Sequence, residues 1–267
     1  MSLDLDNQKI LDMMKAAGHP PVNELQPDEA RKMYRASRGA LQPELPDVAE
    51  LRDLSAASDI PLRLYRGIGT RTGPLPVLVF YHGGGYVIGD LDTHDYVCRK
   101  IANVARCCVI AVDYRLAPEH KFPAAVEDAA AALHWIVQEA KNLSIDPSCV
   151  AVGGDSAGGN LSANMAHLSR DGEVPPLCFQ MLLYPGTDMS MSQPFLPARF
   201  HAVSALDRGH RIFHRPLPSR QKRLHRPAGR PAPGGELQAT RPCLRIDCGL
   251  RPARRRRNGL CPQAGGQ

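Results

Sequence analysis

Hydrophobic residues between positions 60 and 184 fall into short runs separated by segments of helical periodicity. Three of the runs are apolar almost without interruption, which is typical of strands buried on both faces: Pro76–Tyr81, Cys107–Asp113 and Cys149–Gly153. Further strands are predicted at residues 60–64, where apolar and polar residues alternate, and at Cys178–Tyr184, which ends before Pro185. Strands that alternate with helices predict a mostly parallel sheet with helices on both faces, an α/β fold.

Helical patterns surround these strands. A helix over residues 4–17 is stopped by Gly18 and the Pro20–Pro21 pair, and a second helix is predicted from Pro27 to Arg38. A third helix is opened by Pro123 and has a single apolar stripe, formed by Val126, Ala129, Ala130, Leu133, Val137 and Ala140.

Length and composition fit this picture and exclude several classes of protein. A chain of 267 residues with 43% apolar residues can bury a sizeable core, which excludes a wholly disordered or fibrous protein. The first residues are acidic and lack a signal-peptide pattern, and no apolar run reaches about 18 residues, so we expect a soluble, cytoplasmic protein. Eight irregularly spaced cysteines predict free thiols and no metal site.

The charge is divided unequally along the chain. Residues 196–267 carry sixteen basic residues and three acidic ones, whereas residues 1–195 have a net charge of −7. Few aliphatic residues and many Arg, Pro and Gly residues predict that 196–267 is disordered. Two origins remain open for this segment: a GC-rich gene read out of frame from about Gln193–Ala198, or a natural basic arm.

The first candidate for chemistry is the Gly-x-Ser-x-Gly pattern at Gly154–Gly158. It follows a predicted strand and precedes a helical stripe, which is the context of a sharp turn that exposes the hydroxyl of Ser156 at a helix N-terminus. The alternative is a glycine-rich turn that serves packing or phosphate binding. No Gly-x-Gly-x-x-Gly pattern and no phosphate-loop lysine accompany the turn, so a nucleophilic serine is favoured.

The second candidate is His82-Gly83-Gly84-Gly85, which directly follows another predicted strand. Consecutive glycines allow bare backbone N–H groups to approach a ligand closely. We predict that the N–H groups of Gly83, Gly84 and Ala157 stabilise the oxyanion of a tetrahedral intermediate. His82 is expected to order this loop by hydrogen bonds, and not to act as the general base.

Three motifs together resemble those of the hormone-sensitive-lipase-like carboxylesterases and arylacetamide deacetylases, a family of the α/β-hydrolase superfamily. The resemblance covers residues 5–194 and is carried by three segments: His82–Tyr86, Asp113–Glu119 and Gly154–Gly159. It implies Ser156 as the nucleophile, an oxyanion hole of Gly83, Gly84 and Ala157, and short-chain acyl esters as substrates without a cofactor. The supporting motif residues are His82, Gly85, Gly154, Asp155 and Gly158.

The resemblance also implies a domain arrangement. Residues 1–45 would form a helical cap segment, residues 46–195 an incomplete hydrolase core, and residues 196–267 a basic tail. Members of the family complete the catalytic triad downstream of the serine, in the order Ser, Asp, His. No such stretch is recognisable here, because Asp188 has the features of a turn residue and Asp207 is followed only by His210, His214 and His225 among Arg and Pro.

Three functions are therefore compared. The first is an ester hydrolase, impaired because its triad acid and base are not recognisable. The second is a non-catalytic protein that binds a small molecule in the same fold, which the missing histidine would explain. The third is a nucleic-acid-binding protein that uses Arg254–Arg257, although the tail has only two aromatic residues and no recognition pattern. We expect a small-molecule ester as partner and neither a specific nucleic acid nor a membrane.

Overall fold

In the computed structural model the described residues are 4–18, 20 and 22–187. Within them the helices are α1 (Leu5–Ala16), α2 (Pro27–Leu41), α3 (Asp95–Ala105), α4 (Ala124–Gln138) and α5 (Ala157–Arg170). The strands are β1 (Glu50–Ser55), β2 (Pro61–Arg66), β3 (Leu75–Tyr81), β4 (Cys108–Val112), β5 (Ile145–Asp155) and β6 (Phe179–Leu183). Short 3-10 helices occur at Val22–Glu24 and Ala57–Asp59. Strands and helices alternate from β3 onward, so the predicted α/β class is confirmed.

The described strands form one sheet in the order β1-β2-β4-β3-β5-β6. The β1–β2 and β2–β4 pairs are antiparallel, while β4, β3, β5 and β6 run parallel to one another. At the centre of the sheet, Val79 lies between Ile110 and Val152. The carboxyl ends of β3 and β5 are therefore neighbours, and ligand sites in open α/β sheets form at this edge.

Both faces of β3 are buried, which explains why its sequence is apolar at every position. Val77, Val79 and Tyr81 belong to the larger core, to which α4 and α5 contribute Leu133, Ile136, Leu161 and Met165. Leu78 and Phe80 belong to a second core on the opposite face, with Cys98 and Ala102 of α3. Because successive residues of a strand point to opposite faces, a strand with two covered faces shows no alternation.

The hydrophobic pattern predicts most of these elements but not all of them. The predicted strands correspond to β2 to β6, and β5 begins at Ile145, four residues before the predicted start. Neither β1 nor α3 is among the predicted elements. β1 is an edge strand whose residues are mostly exposed, so its hydrophobic signal is weak. α3 is amphipathic and packs Cys98, Ala102 and the partly buried Val97 and Ile101 into the second core, so its pattern is present in the sequence but was missed.

Other predictions are tested only partly by the described residues. The five cysteines among them are free thiols, at positions 98, 107, 108, 149 and 178. No helix in the described ranges is long and apolar enough to cross a membrane, and the cytoplasmic location stays a prediction. The domain boundaries at 45 and 195 also stay predictions, and the basic segment 196–267 lies outside the described residues.

Candidate active site

Ser156 occupies the turn between β5 and α5. Its backbone has φ 50° and ψ −112°, in the half of the Ramachandran map that non-glycine residues rarely adopt. Gly154 and Gly158 flank the turn, and a Cβ atom on either glycine would collide with the backbone oxygen of Tyr81. The spacing Gly-x-Ser-x-Gly is therefore required here, because β3 passes too close for any side chain at those two positions.

Backbone hydrogen bonds hold the serine in this strained conformation. The Ser156 N–H donates to Leu183 O at 2.9 Å, at the end of β6. The Ser156 carbonyl oxygen accepts from Gly186 N–H at 3.1 Å and from Asn160 N–H at 3.0 Å. Its immediate neighbours Asp155 and Ala157 are buried, whereas Ser156 remains partly exposed. Ser156 is thus the partly exposed residue of a turn whose neighbouring positions are buried.

The glycine-rich loop after β3 lies beside this turn. Gly83 N–H donates to Asp155 Oδ1 at 2.9 Å. An N–H group that is already bonded to a carboxylate is not available to an oxyanion, so in this structure Gly83 joins the loop to the Ser156 turn. This contact does not favour Gly83 as an oxyanion donor, and the oxyanion roles of Gly84 and Ala157 stay predictions.

Several N–H groups of the loop and of the first turn of α5 donate no backbone hydrogen bond to any acceptor among the described residues, and those of Gly84, Gly85 and Ala157 are among them. Gly84 has φ 128° and Gly85 has φ 60°, and a Cβ atom on Gly84 would collide with Ile88 O. The loop can thus follow this path only with glycine at position 84. Motif spacing alone does not distinguish Gly83 from Gly85 as the donor.

His82 lies beneath the glycine loop and is buried. Its Nδ1 lies 2.9 Å from Gly83 O, and its ring stacks on Tyr114 with 4.3 Å between ring centroids. Tyr114 OH donates to His82 O at 2.6 Å. Burial and the neighbouring His94 lower the pKa of His82 to about 4, so the ring is neutral at pH 7 and its Nδ1 donates to Gly83 O. These contacts are of the kind expected of a residue that orders the loop.

Asp155 connects the serine turn to the loop and to two residues that the motifs do not reveal. Its Oδ1 lies 3.2 Å from His94 Nε2, and its Oδ2 accepts from Tyr184 OH at 3.0 Å. Burial acts to raise the pKa of the Asp155 carboxyl, but hydrogen bonds from His94, Tyr184 and Gly83 N–H hold it below its usual range. Asp155 is thus a buried carboxylate with donors around it. No sequence signal identifies His94, because it lies 61 positions before its partner.

Asp113 faces the unbonded side of the His82 ring. Its Oδ1 lies 3.8 Å from His82 Nε2, an atom that has no hydrogen-bond partner among the described residues. Burial and the nearby Asp90 and Asp92 carboxylates raise the pKa of Asp113 to about 6. A neutral histidine and a carboxyl group that resists ionisation therefore lie next to each other at the ends of β3 and β4.

No histidine that follows Ser156 among the described residues is placed to act as its base. His167 is the only histidine between Ser156 and Thr187, and it is exposed in the last turn of α5. Eleven residues of helix separate it from the serine by about 16 Å, which is too far for proton transfer. Asp188, Asp207, His210, His214 and His225 lie outside the described residues. No group of three or more candidate metal ligands occurs in residues 4–18, 20 and 22–187.

Comparisons with known proteins agree with the motifs. A sequence profile of the alpha/beta hydrolase fold matches residues 78–261. Carboxylesterase NlhH of Mycobacterium tuberculosis is 51% identical over 154 residues, which are 58% of this chain and 48% of the relative. Ethyl acetate hydrolase of Pseudomonas putida is 38% identical over 206 residues, which are 73% of this chain and 64% of the relative. The chain spans about half to two thirds of the length of these relatives.

Solved structures show the same fold. Ester-hydrolase EH1AB1 from the metagenome of Lake Arreo has a TM-score of 0.68 and 42% identity, with 72% of this chain and 63% of that chain covered. A thermostable esterase from Pseudomonas putida ECU1011 has a TM-score of 0.67 and 31% identity, with 72% and 60% covered. The chain therefore belongs to the hormone-sensitive-lipase-like carboxylesterases of the α/β-hydrolase superfamily.

Proposed function

We propose that this chain is a serine carboxylesterase in which Ser156 attacks short-chain acyl esters. The observation that carries the proposal is the position of Ser156, partly exposed at φ 50° on a strained turn. The N–H groups of Gly84 and Gly85, in the neighbouring loop, and of Ala157, in the turn itself, donate to no backbone acceptor among the described residues. Such a set of preorganised donors is what a developing oxyanion requires.

The chemistry follows from these groups. Ser156 Oγ forms a bond to the ester carbonyl carbon, and the carbonyl oxygen becomes an anion that accepts hydrogen bonds from Gly84, Gly85 and Ala157. The N-terminus of α5 adds its partial positive charge at the same place. A base, or water where no base is present, takes the Ser156 hydroxyl proton as the bond forms and gives it to the alkoxide that leaves when the intermediate collapses. Water then attacks the acyl carbon of the acyl-enzyme, and release of the carboxylic acid restores the hydroxyl group of Ser156.

The proton transfers in this scheme need a general base, and we propose that its loss impairs the chain. Removal of the histidine from a comparable triad lowers turnover by a factor on the order of 10⁶, whereas binding and oxyanion stabilisation alone retain about 10³–10⁴ over water. The expected activity of the chain as written is therefore slow ester cleavage that depends on Ser156. A short acyl group is proposed because one relative is named ethyl acetate hydrolase.

The absence of a recognisable base also favours a second candidate, a non-catalytic protein that binds a small molecule at the same site. A nucleic-acid-binding function of the basic tail would require binding that weakens steeply with salt, and no described residue supports it. Both alternatives predict that Ser156 does not react.

Covalent labelling tests the proposal. A fluorophosphonate probe should modify Ser156, and p-nitrophenyl acetate cleavage should fall to the background rate in Ser156→Ala. The control is Ser148→Ala, because Ser148 is an exposed serine that bonds only to Asp146 and should leave labelling unchanged. Equal labelling of another serine would refute the assignment of Ser156. Absence of any labelling in the folded protein would favour the non-catalytic binding protein.

A further inference from the structure

The guanidinium group of Arg31, on helix α2, contacts both loops that surround the active site. Its Nε donates to Val87 O at 2.8 Å, in the loop that follows the glycines. Its Nη2 donates to Ala117 O at 3.0 Å, in the loop after β4. Nη1 and Nη2 bond to the two carboxylate oxygens of Glu119 at 3.0 and 2.7 Å.

These contacts use the full donor capacity of the side chain. Arginine has five N–H groups in a fixed planar arrangement. With the fifth contact, from Nη1 to Asp28 Oδ1 at 3.2 Å, each N–H of Arg31 has its own acceptor. The Arg31 side chain is 24% exposed, and the hydrogen bonds to Glu119 raise its pKa further, so the charge is permanent. A lysine has three donors on one nitrogen and cannot reproduce this set of contacts.

The carbonyl that Arg31 holds belongs to the turn that carries the free glycine N–H groups. Val87 N–H and Ile88 N–H both donate to Gly84 O, at 3.1 and 3.0 Å. Ala117 N–H donates to Tyr86 O at 2.8 Å and ties the two loops together. A displacement of Val87 would therefore change the direction of the peptide groups at Gly84 and Gly85.

Two other residues of α2 and its C-terminal end contact the segment after the glycine loop, and each makes fewer contacts than Arg31. Arg35 forms an ion pair with Asp90, but its side chain is 60% exposed and it reaches one carboxylate. Gln42 Nε2 donates to Thr93 O at 2.9 Å, further along the chain. Exposed ion pairs contribute little to stability and geometry, whereas a bidentate pair with two added carbonyl acceptors fixes a direction.

We propose that Arg31 is a positioning residue that aims the Gly84 and Gly85 N–H groups at the ester oxyanion. The helical N-terminal segment is then part of the catalytic apparatus, and not only a cover over it. This inference rests on the proposed function, because it assigns Arg31 to the oxyanion side of that reaction. Loss of a preorganised donor geometry costs rate even where the fold is retained.

Two measurements on the full chain test the proposal, with Arg31→Lys as the variant. Hydrogen exchange of the amides of Val87, Ile88 and Ala117 reports the loops without any chemistry and should become at least ten times faster. Affinity of Ser156 for phenylboronic acid, which forms a tetrahedral adduct with an oxygen in the oxyanion hole, should fall about tenfold or more. Binding of the boronic acid to Ser156→Ala measures the background.

Arg66→Lys is the matched control. Arg66 also bonds one carboxylate, that of Glu50, and two backbone carbonyls, those of Leu143 and Ser144, but at the opposite end of the sheet. It should leave both readouts unchanged. If Arg31→Lys matches the wild type in loop exchange and in boronic acid affinity, or if Arg66→Lys produces the same changes, the proposal is refuted.

A second variant covers the case in which Arg31→Lys does not fold. Glu119→Gln keeps Arg31 and its carbonyl contacts but removes the charge of its partner. Hydrogen exchange of the same amides should become faster in this variant, by a smaller factor than in Arg31→Lys. Unchanged exchange in a folded Glu119→Gln would then refute the positioning role. If the wild-type chain does not bind the boronic acid, the proposed function fails, and the exchange data still decide whether Arg31 holds the loop.

Discussion

Strands β3 and β6 are both parallel neighbours of β5, yet they differ greatly in how they are buried. All residues of β3 except Pro76 are buried, and Phe80 has no exposed surface. In β6, Phe179 is 54% exposed and no residue is fully buried. β3 lies inside the described sheet, with β4 on its other side, whereas β6 is at the edge of the described strands.

The candidate active site has two parts, the glycine loop and the serine turn, and they rest on these two unequally buried strands. The glycine loop follows β3 and is supported by the stacked rings of His82 and Tyr114. The serine turn is bonded to Leu183 and Gly186, at the end of β6. The proposed oxyanion side therefore follows a strand that is buried at every position except Pro76. The part of the chain that follows the serine turn leads to β6, a strand in which no residue is buried.

The largest expected effect is on stability, and it is measured by replacing one phenylalanine in each of the two strands. Phe80→Ala removes a fully buried ring and should lower the free energy of unfolding by about 3–5 kcal/mol. Phe179→Ala removes an exposed ring and should change it by less than about 1 kcal/mol. Denaturant unfolding of the two variants measures both values. Equal losses would show that β6 is as well packed as β3 and would remove the contrast.

A smaller effect is expected on the rate of ester cleavage, and it tests the role of the glycine loop that follows β3. Gly84→Ala places a methyl group against Ile88 O and strains a backbone at φ 128°, so ester cleavage dependent on Ser156 should fall by about 10²–10³. Gly172→Ala is the control, because Gly172 has φ 79° with open space around it. It carries the same kind of backbone strain, but its turnover should match the wild type. Unchanged turnover in Gly84→Ala would indicate that the glycines serve packing only.

The smallest effect is on the pH dependence of stability, to which His82 and Asp113 contribute in opposite directions. His82 has its pKa lowered to about 4, so the unfolded chain binds more protons and stability rises as pH increases from about 4 to 6.5. Asp113 has its pKa raised to about 6, so the native state binds more protons and stability falls between about pH 4 and 6.

Asp113→Asn should therefore make the melting temperature rise more steeply between pH 4 and 6 than it does in the wild type. Thermal unfolding at half-unit pH steps measures the slope, and the same variant at pH 8 controls for loss of contacts. A slope equal to that of the wild type would contradict the raised pKa of Asp113.

The turn that carries Ser156 was predictable from the sequence because its constraints are local. Gly154, Ser156 and Gly158 lie within five residues, and their spacing reflects the close passage of β3 behind the turn. Strands β3, β4 and β5 were equally predictable, since buried strands are continuous apolar runs, and β2 was predictable from its alternation of apolar and polar residues. The α/β class and the family followed from these features and are confirmed by the comparisons.

Only the tertiary structure decided which groups surround Ser156. The N–H of Gly83 bonds to Asp155 across 72 positions, whereas the N–H groups of Gly84 and Gly85 donate to no backbone acceptor among the described residues. His94, Tyr184 and Arg31 reach the site from separate elements, and no motif connects them with it. The physical reason is that apolar periodicity and tight turns are encoded by adjacent residues. The direction of an N–H group and the partner of a buried charge depend on where distant segments meet.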